Sequence, residues 1–110
     1  MYTVKETYDR IGISKAQAHI LNLAEIWDGG PMEGHLFIQK DGKRYVLCEQ
    51  IHHYNRMNES TKEYVIQNTD SMESVVREIE AFCGNRYGGT LAFDFRKLLR
   101  HEAVSRFFGL

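Results

Sequence analysis

The stretch His35–Gln50, HLFIQKDGKRYVLCEQ, constrains the fold more than any other in the chain. Two apolar-rich runs flank Asp41-Gly42, and Asp-Gly admits the positive backbone angles of the tight turn that joins antiparallel strands. A hairpin here predicts strand one over about His35–Lys40 and strand two from near Lys43. The second arm continues, with Tyr45, Leu47, Glu49 and Ile51 on one face and Val46, Cys48, Gln50 and His52 on the other, which carries it through His53. The alternation leaves open which of the two faces meets the core. Asn55–Thr61 is polar and turn-like, and Lys62–Thr69 (KEYVIQNT) reads as strand three, antiparallel to strand two.

Upstream of the hairpin the pattern is helical. Thr3-Val4-Lys5-Glu6 fits a capping box, Val4, Tyr8 and Ile11 recur at helical spacing, and Gly12 supplies a stop. Ser14-Lys15-Ala16-Gln17 opens a second helix by the same logic. Its apolar stripe is Ala16, Ile20, Leu23, Ala24 and Trp27, running until Asp28-Gly29-Gly30-Pro31.

Downstream, Asp70–Glu73 starts a helix that carries Met72, Val75, Val76, Ile79, Phe82 and Cys83 on one broad face and ends at Gly84. Asn85–Gly89 reads as a loop. Thr90–Phe95 alternates, and fits either a short fourth strand or the opening of the last helix. Within Phe95–Phe108, Phe95, Leu98 and Leu99 point one way, while Val104, Phe107 and Phe108 point another. The last helix therefore breaks near His101–Glu102, or is apolar on two sides and has a second partner.

The expected architecture is a single α+β domain spanning residues 1–110. It has an N-terminal helical pair, a three-stranded antiparallel meander that a short fourth strand would extend, and two C-terminal helices packing on the sheet. A chain of 110 residues buries about 65% of its unfolded surface without metal or disulfide staples. The start, MYTVKETYDR, is charged where a secretory leader needs an apolar core, and no apolar run approaches a membrane span. The expectation is a cytoplasmic protein with reduced thiols and no membrane partner. A net charge of −1 gives no global pull toward nucleic acid. The distribution is uneven: residues 1–85 hold nine Lys/Arg against thirteen Asp/Glu, and residues 86–110 hold five against two.

The segment Tyr8-Asp-Arg-Ile-Gly-Ile-Ser-Lys-Ala-Gln-Ala-His-Ile-Leu21 resembles the core of a helix-turn-helix DNA-binding motif, over about 18 residues. The resemblance implies a transcriptional regulator whose Ser14, Lys15, Gln17 and His19 face the major groove. The chain departs from the family's pattern at Tyr8, where a small residue usually stands. It departs again at Ala18, which points away from the Ile20–Ala24–Trp27 stripe. A plain helical hairpin packed on the sheet fits those two positions better.

Cys48, His52, His53 and Cys83 offer one loose pair of ligands where zinc signatures use two close-spaced pairs. The favoured reading is structural cysteines, with no metal and no cofactor. Histidine is suited to general-base chemistry, but no nucleophile elbow or phosphate-binding glycine loop accompanies His52 or His53. The residue types that interface centres favour lie elsewhere, in His52-His53-Tyr54-Asn55-Arg56-Met57, in Arg86-Tyr87 and in Arg106-Phe107-Phe108.

The expected function is non-enzymatic protein binding by a small regulator, inhibitor or adaptor, using His52, His53, Tyr54, Arg56, Met57, Arg86, Tyr87, Arg106, Phe107 and Phe108. An apolar surplus at the C-terminus would make it a homodimer. An inhibitor of a host defence system, encoded by a phage or mobile element, is one concrete form. The order of helices and strands is loosely similar to that of some small anti-CRISPR proteins. The DNA-binding regulator is the alternative.

Overall fold

A computed structural model describes residues 3–5, 11–27, 30, 32–42, 44–53, 58–66, 71–87 and 99–109. In chain order the elements are β1 (Thr3–Lys5), β2 (Gly12–Ile13), β3 (Ile20–Trp27), β4 (Met32–Asp41), β5 (Arg44–His53), β6 (Asn58–Ile66), α1 (Met72–Tyr87) and α2 (Glu102–Phe107). In place of the expected three-stranded meander, four long strands β3 to β6 form an antiparallel meander, because residues 20–27 join it as β3, and β1 and β2 both pair with the outer edge of β3. The turn between β4 and β5 is where Asp41-Gly42 places it: Asp41 pairs with Arg44, and Gly42 takes a φ of 62°. β5 runs to His53, as its alternation indicates.

The N-terminal helical pair does not form. Val4 lies in β1 opposite Ile26, Ile11 precedes β2, and residues 20–27, read as helix, are a strand; Tyr8 lies outside the described residues. The reason is local and tertiary at once. Ser14 Oγ does accept the Gln17 amide at 3.1 Å, the hydrogen bond of a helix cap. The same bond also closes a Ser/Thr turn, and here Ser14 N–H donates to the Ile20 carbonyl at 2.9 Å, so the chain reverses into β3. The strand pairing shifts register between Asn22 and Ala24, leaving Leu23 as the extra residue of a β-bulge. The bulge puts Leu23 and Ala24 side by side in the core with Leu21 and Ile26, all 7% exposed or less. A bulged strand thus copies the i, i+3, i+4 spacing of a helix. Trp27, assigned to the buried stripe, is 40% exposed.

One sheet face carries the core. Leu21, Leu23, Ile26, Leu36, Ile38, Leu47 and Ile51 meet Val75, Val76, Ile79, Cys83 and Tyr87 of α1 and Val104 and Phe107 of α2. The Tyr45/Leu47/Glu49/Ile51 face of β5 is therefore the inner one. β6 spans Asn58–Ile66, so residues 58–61, read as turn, are strand; residues 67–69 lie outside the described residues, as does the whole of 90–95.

Helix α1 does not stop at Gly84 but continues through Asn85 and Arg86 to Tyr87. A helical glycine costs only about 1 kcal/mol relative to alanine, and Arg86 and Tyr87 beyond it engage the sheet. Residues 99 and 100 are helical, and the helix breaks at His101, which is extended (φ −71°, ψ 127°) and whose Nδ1 accepts the Ala103 amide at 3.2 Å. That break is how Leu99 and Val104 both reach the core. No helix among the described residues is long and apolar enough to cross a membrane.

Candidate functional site

The side of the sheet away from α1 faces no helix among the described residues, although Val46 and Cys48 on it are only 6% and 1% exposed, and beside them it holds a concavity of about 600 Å³. Its floor follows from strand alternation. On β4, His35, Phe37 and Gln39 point outward. Glu25 of β3 and Gln50 of β5 flank His35, Asn22 and Cys48 flank Phe37, and Ile20 and Val46 flank Gln39. One wall is the 14–19 turn, through Ser14 and Gln17. The polar lining thus comprises four amides, a hydroxyl, an imidazole and one carboxylate, grouped around Phe37, with no Lys or Arg. Among the described residues no side chain engages the amides of Asn22, Gln39 or Gln50. The arrangement suits recognition of a neutral polar ligand by hydrogen bonds around one apolar platform.

A second constellation lies on the inner face. Glu49 is 1% exposed at the middle of β5. Arg86 donates to both of its oxygens, from Nε at 2.5 Å and from a terminal nitrogen at 2.6 Å, and the Tyr87 hydroxyl donates to it as well. A bidentate guanidinium and a phenol supply the hydrogen bonds a buried carboxylate requires. Burial, and then the hydrogen bond to Glu49, push the Tyr87 phenol well above its usual range. Closed off from solvent at Glu49, this cluster anchors the last turn of α1 to the sheet.

The residues singled out in the sequence are dispersed. Ser14 and Gln17 rim the concavity. Lys15 and His19 are exposed in the same turn, so no recognition helix presents the four together. His52 and His53 point to opposite faces of β5; Tyr54, Arg56 and Met57 lie outside the described residues. Arg86 and Tyr87 belong to α1 and hold Glu49, where a loop was expected. Arg106 pairs with Glu102 on the surface at 2.7 Å. Phe107 is buried, and Phe108 lies half-buried with its ring 4.9 Å from that of Tyr45. Both C-terminal rings thus pack on the chain's own core, and Lys40 Nζ sits 4.6 Å from the Phe107 centroid.

With this geometry in hand, comparison with known proteins adds no relative. No family model, curated protein or solved structure matches the chain.

Cys48 lies on the outer face and Cys83 packs from α1 onto the inner one, so the sheet separates the two free thiols. Among the described residues no group of three or more His, Cys, Asp or Glu is placed to hold a metal ion. Burial pushes the Cys48 thiol up to about 11 and the Cys83 thiol up to about 12, with Glu63 and Glu49 respectively adding to the rise. Native protein at pH 8 is therefore expected to resist a thiol-directed disulfide reagent at both positions and to react at both once unfolded in urea. The folded state keeps these protons to higher pH than the unfolded chain, whose thiols ionise near 9. Stability should fall as pH rises from about 9 toward 12. A rapid reaction in the native state at pH 8 would contradict the burial of either thiol.

Asn22, Glu25, His35, Phe37, Gln39 and Gln50 were not anticipated as a set. The alternation His35-Phe37-Gln39 was visible, but its neighbours on β3 were hidden by the bulge that imitates a helix.

Proposed function

We propose that this protein works by binding and not by catalysis, as a small regulator, inhibitor or adaptor, and that the outer face of the sheet is its ligand-bearing surface. One observation carries the reading: the concavity over Phe37, ringed by the amides of Gln17, Asn22, Gln39 and Gln50. Its volume of about 600 Å³ falls in the range of sites that enclose small ligands or a protruding group of a larger one, roughly 300–1,000 Å³. Neutral amides both donate and accept, so they orient a ligand without demanding a charge on it. Nucleic acid has less behind it. Neutralising phosphates takes Lys and Arg, and the lining contains neither.

Side-chain amides make this reading directly testable, because each gives its own NMR signal. In an extract of the native cell, the NH2 signals of Asn22, Gln39 and Gln50 in isotope-labelled protein are expected to move. Gln50→Arg, placing a long cation in the floor, should abolish the change while leaving the fold intact by circular dichroism. Signals that move only on α1, or that move equally in the Gln50→Arg variant, would exclude the outer face.

A further inference from the structure

We propose that the outer face binds a neutral oligosaccharide of four or more rings, stacked on Phe37 and Trp27 with its hydroxyls on the Glu25–His35–Gln50 row between them. The inference rests on the outer face being the binding surface and adds the chemistry of what it takes.

Two aromatic platforms share this face. Phe37 lines the concavity between the His35 and Gln39 rows. Trp27 alternates with Glu25 along β3 and so points the same way, opposite Glu33. Trp27 is the one large hydrophobic side chain exposed among the described residues, at 40%, and a ligand that covers the exposed part of an indole gains apolar burial. Its Nε1 donates to the Gly30 carbonyl at 3.3 Å, which limits rotation of the ring. The Phe37 and Trp27 positions are two cross-strand rows apart, a span of about 14 Å at the rise of an antiparallel strand. A single nucleobase or monosaccharide covers one platform only. A chain of about four rings reaches both.

The row between the platforms supplies what hydroxyls need. The carboxylate of Glu25 accepts, the Gln50 amide does both, and His35 offers two ring nitrogens. Pyranose rings present alternating hydroxyls on their edges and C–H groups on their faces, which matches planar polar side chains beside aromatic ones. The charge pattern selects for neutrality. No Lys or Arg lines the concavity, and Glu25, Glu33 and Glu63 occupy outward positions on three strands. Sulfated, phosphorylated or uronate-bearing chains would be repelled.

Trp27 is the only tryptophan in the chain, so its fluorescence reports on the proposed platform directly. The full chain would be titrated with maltotetraose, cellotetraose and tetra-N-acetylchitotetraose, each to about 10 mM, a range that detects dissociation constants near 1 mM. At least one is expected to change Trp27 emission and to shift the side-chain amide signals of Asn22 and Gln50. Trp27→Ala and Phe37→Ala should each weaken that binding about tenfold, read by calorimetry. Trp27 is exposed, so its variant should fold even where Phe37→Ala does not. Arg77→Ala, on the exposed side of α1, should bind as the wild type does.

Silence with all three sugars, undiminished affinity in Trp27→Ala, or a response to adenosine or a heparin fragment instead would each overturn the saccharide assignment. The broader reading stands or falls separately. A protein or other ligand that moves the Asn22 and Gln50 amides would keep the outer face as the binding surface without saccharide. A sugar that shifts only signals of α1 would remove both.

Discussion

Replacing Gly34 with alanine is expected to destabilise the protein by about 3 kcal/mol or more, a loss large enough to shift its urea midpoint well below that of the wild type. Gly34 lies on the inner face of β4 opposite Ile51. A Cβ there would stand 1.9 Å from the Gln50 carbonyl oxygen, 2.9 Å from its carbon and 3.1 Å from the Ile51 Cα. All three are backbone atoms, so no side-chain rotation relieves the clash. Strands β4 and β5 would have to separate at the centre of the sheet. Gly42→Ala is the informative contrast. It has open space but a φ of +62°, and should cost only about 1–2 kcal/mol, the ordinary penalty for a left-handed residue. Equal midpoints for the two variants would mean that β4 and β5 do not approach so closely at Gly34.

Arg86→Ala is expected to cost about 2–3 kcal/mol, far more than removal of a surface charge. The guanidinium side chain is 32% exposed while Glu49 is 1% exposed. Removing it therefore takes the bidentate guanidinium away from a buried carboxylate. Truncating one member of a buried pair typically costs about 3–5 kcal/mol, and partial access of water to the Arg86 side lowers that figure. By comparison Arg77→Ala, which breaks the exposed pair with Glu73 at 2.9 Å, should change stability by no more than about 0.5 kcal/mol. Glu49→Met combined with Arg86→Met should recover most of the loss, because it removes the desolvated charge and its partner together. A double-mutant cycle by urea denaturation reads the coupling directly. If Arg86→Ala and Arg77→Ala proved equally mild, Glu49 would have access to water that its burial denies.

The two variants locate the parts of the structure that composition and periodicity miss. Glu49 sits in plain view on the Tyr45/Leu47/Ile51 face, and the alternation alone leaves open whether that face is the inner one. A carboxylate becomes a core residue only when a cation and a phenol arrive from elsewhere, and both come from a helix end 37 and 38 residues away in sequence. Gly84 read as a stop for the same reason. A glycine ends a helix when nothing beyond it is worth reaching, and Arg86 and Tyr87 reach Glu49. Only the placement of Leu99 and Val104 on one core settles the two readings of the last segment, through the break capped by His101.

Contacts close along the chain were legible from residues alone. Asp41-Gly42 determined the β4–β5 turn, because the left-handed backbone it needs is a property of the dipeptide. Strict alternation carried β5 to His53, and the apolar face of Val75, Val76 and Ile79 predicted α1. The N-terminal third was decided by the tertiary structure. Ser14 makes the same hydrogen bond at a helix cap and at a turn, and a bulged strand repeats a helix's apolar spacing. Only the edge of β4, offering unpaired backbone groups to residues 20–27, distinguishes the two. That choice also made the outer face: as a helix, this segment would have turned Asn22 and Glu25 to solvent, whereas as β3 it sets them beside His35 and Phe37.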